Sequence, residues 1–332
     1  MRLMPRFLIA AVWLLLSGLA LPAQTPAWFV SRTQVDTAYE PHRSFVGWKS
    51  TPFAYASVTL TNGAVGTVPC EMAELVGQQW YDRYHALVTV PTTTPAGNYQ
   101  LLVNGATTGV TITVSPKVPR APAVTLSPGN IEKLESVAPY SDVTLNPGLY
   151  TLKRSLALPP GVRIYGYGAV VQTALPRGTG GAYEQLFFWP PTDDLAFHGI
   201  TFLPANHVIY GSDTQWNNLH FANCTFRPAT LYMAGVGRHS SKNAVYSGCT
   251  FERVMTTISG GLVLDCTWKG MVAPRGEAHS LFVDGGKSLC VARAKFDGTD
   301  RGPILGDSLG DVTGVLFTDL DLRNINRVDN GN

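Results

Sequence analysis

The sequence predicts an all-β protein in two parts: a β-sandwich and, after it, a parallel β-helix, in which short strands wind into a solenoid. The solenoid is predicted by a four-residue motif that is repeated along the chain. Each copy alternates small apolar, polar and large apolar residues, as a strand with one buried face does. The copies are residues 199–202 (GITF), 223–226 (NCTF), 248–251 (GCTF), 265–268 (DCTW), 293–296 (RAKF) and 319–322 (DLDL). Their spacing of about 25 residues is typical of solenoids.

The repeat also predicts what the interior contains. Residues at the same inward position of successive repeats stack about 4.8 Å apart, so one residue type forms a column. We expect an aromatic column of Phe226, Phe251, Trp268 and Phe296, beside a column of Cys224, Cys249 and Cys266. Stacked cysteines have parallel Cα–Cβ bonds, a poor approach for a disulfide, so these three are predicted to be free thiols. Cys70 and Cys290 lie in different predicted domains and are left unpaired.

The N-terminus predicts export. Residues 1–23 contain Arg2 and Arg6, then an apolar run at 7–16, then small residues up to Ala23, which is the pattern of a secretory signal peptide. The run is too short to span a membrane comfortably. Without Arg2 and Arg6 the formal charge of +2 falls to about zero, which argues against nucleic acid as a partner. We therefore expect a secreted protein, periplasmic or extracellular, with no membrane span after signal removal.

Residues 24–115 are predicted to form the sandwich. Short strand signals recur between turn signals, among them Asn62-Gly63, a pair typical of hairpins. The sequence of residues 90–105 (VPTTTPAGNYQLLVNG) resembles that of Ig-like modules that precede secreted bacterial polysaccharide-processing proteins. The resemblance implies an Ig-like domain, and we interpret it as a spacer rather than a binding module.

A proline-rich linker is predicted at residues 116–128, followed by a short helix at 131–137 with Asn130 as its N-cap. Ile131, Leu134 and Val137 lie on one face of that helix. We expect the helix to cover the open first turn of the β-helix, which is predicted to span residues 129–332. The chain stops just after a strand signal, which favours a fragment lacking further C-terminal turns over an end that a partner covers.

Two segments of this second part carry a family resemblance. Residues 143–152 (VTLNPGLYTL) and 156–171 (LALPPGVRIYGYGAVV), followed by the Cys-Thr-Phe copies, resemble the right-handed parallel β-helix of the pectate lyase and pectin lyase superfamily. The resemblance covers roughly residues 124–332. It implies the fold but not the reaction, because the superfamily includes lyases, hydrolases, epimerases, phage tailspikes and adhesins. His198-Gly199 matches only part of the Gly-His-Gly motif of its polygalacturonase-like hydrolases, and the other polygalacturonase and pectate lyase signatures have no match here.

The resemblance implies that a site lies on the outer surface of one sheet, among bends and loops. The densest polar cluster surrounds one strand signal, where Arg275, His279 and Asp284 supply a cation, a base and an acid. In residues 280–284, Leu281 and Val283 should point inward, with Ser280, Phe282 and Asp284 outward. Asp307 could stack one repeat from Asp284 and make a carboxylate pair for hydrolysis or for holding Ca²⁺. The alternative, which the candidate site does not outweigh, is that these are ordinary surface charges and turn aspartates.

Two functions stay open. The first is a lyase, hydrolase or epimerase that acts on an acidic, uronate-containing polysaccharide, with Asp284, His279, Arg275 and Asp307 as catalytic candidates and Ca²⁺ as a possible cofactor. The second is a non-catalytic glycan-binding or adhesin-like surface protein, which the missing family signatures favour. The sequence does not determine the oligomeric state.

Overall fold

The computed structural model describes most of the chain between Trp28 and Ile325. The described residues are 28–49, 55–73, 85–173, 185–187, 193–203, 207–209, 216–227, 234–235, 241–258, 260–270, 280–284, 287–299, 304–306 and 313–325. The predicted signal peptide lies outside them. Within them no helix is long and apolar enough to cross a membrane.

The N-terminal region, residues 28–115, contains two sheets. A four-stranded sheet has the order β1-β3-β7-β6, and a five-stranded sheet has the order β2-β9-β8-β4-β5. All neighbours are antiparallel except β2 and β9. The strands are β1 (Trp28–Val30), β2 (Gln34–Val35), β3 (Ser44–Lys49), β4 (Val58–Asn62), β5 (Gly66–Pro69), β6 (Glu71–Ala73), β7 (His85–Thr89), β8 (Gly97–Val103) and β9 (Ala106–Val114). The turn predicted at Asn62-Gly63 joins β4 to β5.

Alternation along these strands builds a separate N-terminal core. Val58, Leu60, Tyr99 and Leu101 point inward and are buried, while residues between them are more exposed. A short 3₁₀ helix, Glu40–His42, connects β2 to β3. The region is therefore mainly antiparallel and buries its own apolar residues.

The rest of the described chain, residues 121–325, forms large parallel sheets. Sheet one contains β10 (Ala121–Leu126), β11 (Ser141–Leu145), β13 (Arg163–Tyr165), β16 (Ala196–His198), β20 (His220–Ala222), β24 (Ala244–Ser247), β27 (Gly261–Leu264), β30 (Lys287–Ala292) and β33 (Thr313–Thr318). Sheet two contains β12 (Gly148–Leu152), β14 (Ala169–Thr173), β17 (Thr201–Leu203), β21 (Thr225–Phe226), β25 (Thr250–Glu252), β28 (Thr267–Lys269), β31 (Lys295–Asp297) and β34 (Asp321–Arg323). Sheet three contains β15 (Gln185–Phe187), β18 (His207–Ile209), β22 (Ala234–Gly235), β26 (Val254–Thr257), β29 (Leu281–Asp284) and β32 (Ile304–Gly306), and the pair β19 (Trp216–Asn217) and β23 (Ser241–Lys242) lies apart.

From β13 onward the chain visits the sheets in a fixed order, one, two and then three, before it returns to sheet one. Each strand pairs in parallel with the strand of the next repeat, a topology compatible with a β-helix. The predicted aromatic column is confirmed, since the rings of Phe226, Phe251, Trp268 and Phe296 stack with centroids 4.7–4.9 Å apart. Cys224, Cys249 and Cys266 are buried and free, and Cys70 and Cys290 are free as well.

The bend from sheet one to sheet two has one conformation in successive repeats. Its first residue is left-handed, with φ of 52° at Asn223, 62° at Gly248 and 55° at Asp265. Asn, Gly and Asp tolerate this conformation best. The N–H of Asn223 donates to the carbonyl of Ser247, and that of Gly248 donates to Leu264. The next residue then points inward, which is why each predicted cysteine is buried.

The start of the parallel region differs from expectation. Strand β10, Ala121–Leu126, lies within the predicted linker and pairs with β11. It tolerates Pro122 because it has no neighbour on its other side among the described residues. The predicted helix is a 3₁₀ helix, Pro128–Ser136, with Ile131 and Leu134 buried against the core. The Asn130 N-cap was wrong: Ser127 precedes the helix, and a proline occupies the first turn.

The N-terminal region covers the outer face of sheet one. Val46 and Trp48 of β3 pack on Val245, Leu262 and Cys290, which are outward residues of successive sheet-one strands and are buried. At the same junction Asn217 Nδ2 donates to Gln34 Oε1 over 3.3 Å. We call this contact, between residues 29–48 and the outer face of sheet one, the junction.

Candidate functional site

The sequence-predicted site falls mainly outside the described residues. Arg275, His279 and Asp307 are not described, and for Asp284 only the backbone is. Asp284 is the last residue of β29 and pairs with Gly306, so Asp307 follows its partner by one residue. Leu281 and Val283 are buried, as predicted, whereas Ser280, expected outward, is buried too.

From β13 onward, the longest connections border sheet three. Residues 174–184 lead from β14 into β15, residues 227–233 lead from β21 into β22, and residues 270–280 lead from β28 into β29. By contrast, bends from sheet one to sheet two contain only two residues, as at 223–224 and 248–249. In solenoids, insertions gather on one face, often the binding face.

A polar cluster that sequence reasoning missed lies at the junction. Tyr39 precedes the 3₁₀ helix Glu40–His42, and its hydroxyl is hydrogen-bonded to His198 Nε2. The same hydroxyl lies 2.9 Å from His220 Nδ1, and His220 Nε2 lies 3.3 Å from Ser247 Oγ. A phenol, two imidazoles and a hydroxyl therefore form one continuous hydrogen-bonded chain.

Aromatic and cationic groups surround this series of hydrogen-bonded side chains. The guanidinium of Arg163 lies over the Tyr39 ring, and Arg163 Nη2 is 3.5 Å from Asp36 Oδ2. The Tyr165 ring stacks on His198 with centroids 4.6 Å apart and planes 16° apart. Arg163 and Tyr165 are the outward residues of β13, and the register places His198 directly beside Tyr165.

Two further side chains of the cluster are buried and have polar atoms for which the described residues offer no partner. Arg32 is 1% exposed, and its only described hydrogen bond is from Nη2 to Asn218 Oδ1 at 3.4 Å; Nε and Nη1 have no partner among the described residues. His42 is 3% exposed, and its Nε2 is similarly unpaired. Its ring lies 5.3 Å from that of His220. Buried polar atoms without partners are rare, so this is a costly arrangement.

Burial shifts the pKa values of five side chains of the cluster. Desolvation lowers the pKa of His198 to about 4 and holds the pKa values of His42 and His220 well below their usual range, with Arg32 and Arg163 adding to the effect. Desolvation also lowers the pKa of Arg32 to about 9 and raises that of Tyr39. All three histidines are therefore neutral at pH 7.

A pocket of about 240 Å³ adjoins the cluster. It is lined by Asp36, Tyr39, Arg120, Arg163 and residues around them. Arg120 is already engaged there, because its guanidinium donates to Asp142 and to the carbonyls of Ser141 and Gly161. The two arginines that line the pocket are thus each paired with an aspartate, Arg120 with Asp142 and Arg163 with Asp36.

The sequence holds little signal for this cluster. His198 stands out only as half of a Gly-His-Gly motif, and His220 looks like any outward residue of a strand. Tyr39 and His42 belong to no repeat. Only the covering of sheet one by the N-terminal region brings the four together.

No group of three or more His, Cys, Asp or Glu residues in the described part of the chain is arranged to hold a metal ion. The predicted Ca²⁺ site, which involves Asp284 and Asp307, concerns side chains outside that part and stays a prediction. No family model, no curated protein and no solved structure matches this chain.

Proposed function

We propose that the chain is a secreted protein that processes an acidic polysaccharide on the outer face of sheet three. In this proposal the parallel sheets form a right-handed β-helix of the pectate lyase-like kind, and the N-terminal sheets form an Ig-like sandwich. The observation that carries the proposal is the distribution of the long connections, which border sheet three while the bends between sheets one and two stay short.

The junction supports the choice of face. The outer face of sheet one is buried under Val46 and Trp48, so no polymer can lie along it at residues 245–290. Sheet three carries Asp284 at the end of a strand, next to the connections 270–280 and 285–286. A polymer running along the solenoid axis would meet groups from successive repeats about 4.8 Å apart.

The chemistry follows from the residue types. Removal of the proton beside a uronate carboxylate needs a base and a cation that neutralises the carboxylate. Arg275, together with any bound Ca²⁺, would supply the positive charge, and His279 and Asp284 would carry out the proton transfers. Hydrolysis would instead use Asp284 with Asp307 as a carboxylate pair, whose separation sets the stereochemistry.

The test is an assay of uronate polysaccharides with and without Ca²⁺, following the ultraviolet absorbance of an unsaturated product and, in parallel, new reducing ends. Absorbance indicates a lyase, and reducing ends without absorbance indicate a hydrolase. Asp284→Asn and Arg275→Gln should each abolish the activity. Asp321→Asn, on sheet two and paired with Arg323, is the matched control and should retain it. Full activity in both site variants would contradict this assignment.

A second function, glycan binding without catalysis, is favoured by the outer face of sheet two. Thr201, Thr225, Thr250 and Thr267 occupy one register position of four successive strands. Beside them runs a column of alternating charge: Glu252, Lys269, Asp297 and Arg323. Such a row of hydroxyls and charges can hydrogen-bond a regular polymer.

Binding measured on immobilised polysaccharide separates the two functions. If sheet two binds, the double variant Thr225→Val and Thr250→Val should lose affinity while Asp284→Asn does not. The opposite result places the polymer on sheet three. The valine substitutions preserve side-chain shape and remove only the hydroxyls.

A further inference from the structure

The junction histidines, which we define as His42, His198 and His220, lie where two separately packed bodies meet. His42 comes from the N-terminal region, and His198 and His220 come from adjacent strands of sheet one. All three rings contact Tyr39, at centroid distances of 4.7–5.8 Å. A proton on any of these rings therefore places a positive charge inside the contact between the two bodies.

The charges that face the histidines balance one another while the rings are neutral. The cations are Arg32 from the N-terminal region, Arg120 from the segment before β10, and Arg163 from β13. The acids are Asp36 near Arg163, Asp142 on Arg120, and Asp194, whose Oδ1 accepts from Asn218 Nδ2 at 2.7 Å. The remaining polar neighbours, Tyr39, Tyr165 and Ser247, are uncharged at neutral pH.

No carboxylate forms a hydrogen bond with a junction histidine among the described residues. The hydrogen-bond partners of His198 and His220 there are Tyr39 and Ser247, and His42 Nε2 has none. Protonation of the rings would therefore add up to three positive charges beside three arginines in a buried contact. Like charges in a desolvated site repel strongly.

We propose that the junction is an acid-sensitive latch: at neutral pH the N-terminal region covers sheet one, and protonation of the junction histidines releases it. Release exposes an apolar strip of sheet one that contains Val245, Leu262 and Cys290. Each body keeps its own core when they separate, since the N-terminal core and the parallel-sheet core share no residues.

The direction in pH follows from linkage. Below pH 6.5 a free histidine binds a proton that the docked histidine, with a lowered pKa, does not bind, so undocking takes up protons and becomes more favourable as the pH falls. For His198, whose pKa is lowered from 6.5 to about 4, the undocking equilibrium should rise about thirty-fold between pH 7.5 and pH 5. His42 and His220 add to this effect. His198 therefore weakens docking progressively as the pH falls from 6.5 to about 4.

The five cysteines provide the readout. Cys290 is buried in the junction, whereas Cys224, Cys249 and Cys266 are buried inside the parallel-sheet core. The full chain is pulsed with 4,4′-dithiodipyridine, which reacts with thiols at acidic pH, and each labelled cysteine is identified by mass spectrometry. Labelling of the partly exposed Cys70 corrects for the effect of pH on the reagent.

We expect Cys290 to be labelled at least ten-fold faster at pH 5 than at pH 7.5, relative to Cys70, with the three core cysteines still protected. His198→Gln and His220→Gln together should flatten this dependence. Tyr39→Phe, which removes the shared hydroxyl but no titrating imidazole, should speed labelling at both pH values and keep the dependence. If either variant does not fold, the unmodified protein still decides the matter. Protection of Cys290 at pH 5, or equal labelling of all four buried cysteines, would overturn the proposal.

Discussion

The central carbon of the Arg163 guanidinium lies 3.9 Å from the centroid of the Tyr39 ring. One side of this tyrosine thus contacts a cation, while its hydroxyl joins His198 and His220. The residue connects the N-terminal region to two strands of sheet one, so its ring and its hydroxyl can be tested separately.

Tyr39→Phe keeps the ring under Arg163 and leaves two buried histidines without their shared partner. We expect the free energy of unfolding to fall by about 1–3 kcal/mol. Tyr39→Leu also removes the contact with the cation and should cost about 0.5–2 kcal/mol more. Urea denaturation at pH 7.5 measures both. A phenylalanine variant as stable as the unmodified protein would show that the hydroxyl contributes nothing.

For Arg32 we expect the opposite sign, because it is buried with two nitrogens that have no hydrogen-bond partner in the described part of the chain. Arg32→Met keeps a long apolar side chain and removes the buried charge, so stability should be unchanged or rise by about 1 kcal/mol or more. Asn218→Gly preserves the left-handed backbone (φ 55°) but removes the partner of both Arg32 and Asp194, and should lower stability by about 1–3 kcal/mol. Thermal melts of both variants check the sign. A strongly destabilised methionine variant would mean that the arginine contributes net stability.

Phe251 lies in the aromatic column between Phe226 and Trp268, with ring centroids 4.9 and 4.7 Å away. Phe251→Ala should cost about 3–5 kcal/mol, since the stacked neighbours cannot close the cavity. Phe251→Leu fills most of that volume and should cost clearly less. Leu149→Ala, at a side chain that is 53% exposed, is the control, with an expected change within about 0.5 kcal/mol. Equal losses for Phe251→Ala and Leu149→Ala would contradict the column's role in stability.

Among the described glycines, Gly261 is the one at which an added Cβ would lie nearest to a backbone atom. A Cβ there would lie 2.1 Å from the carbonyl oxygen of Ala244, and the φ of 124° is unfavourable for other residues. Gly261→Ala should cost about 2 kcal/mol or more, because neither the backbone of β24 nor that of β27 can shift alone. Gly63→Ala, where no atom lies within 4 Å of the position that a Cβ would take, should change stability by less than about 0.5 kcal/mol. Soluble yield and melting temperature report both outcomes.

The repeats made the parallel sheets predictable. Side chains that recur every 25 residues or so must stack, and so Phe226, Phe251 and Trp268 could be assigned to one inward column from the sequence alone. Local capping was less predictable. Asn130 is a good N-cap by residue type, but Pro128 fits the first helical turn and moves the start of the helix back to Ser127.

The junction could not be predicted, for a physical reason. Outward residues of a strand are expected to face solvent, and the sequence does not say which sheet another part of the chain will cover. His220 and Val245 occupy the same register position of adjacent strands, and both are buried only because Tyr39 and Val46 lie over them. The catalytic roles of Arg275, His279, Asp284 and Asp307 remain a prediction.

The junction also sets the order in which the two regions fold and dock. Tyr39 and His220 are separated by 181 residues, and His85 and Thr318 by 233. Closing such long loops costs entropy that no local contact repays, whereas each parallel strand needs only the repeat before it. The N-terminal region can therefore dock in full only after the strands up to β33, which contains Thr318, have been made. Until then the apolar strip of sheet one is bare, and this interval is when the protein is most vulnerable to aggregation.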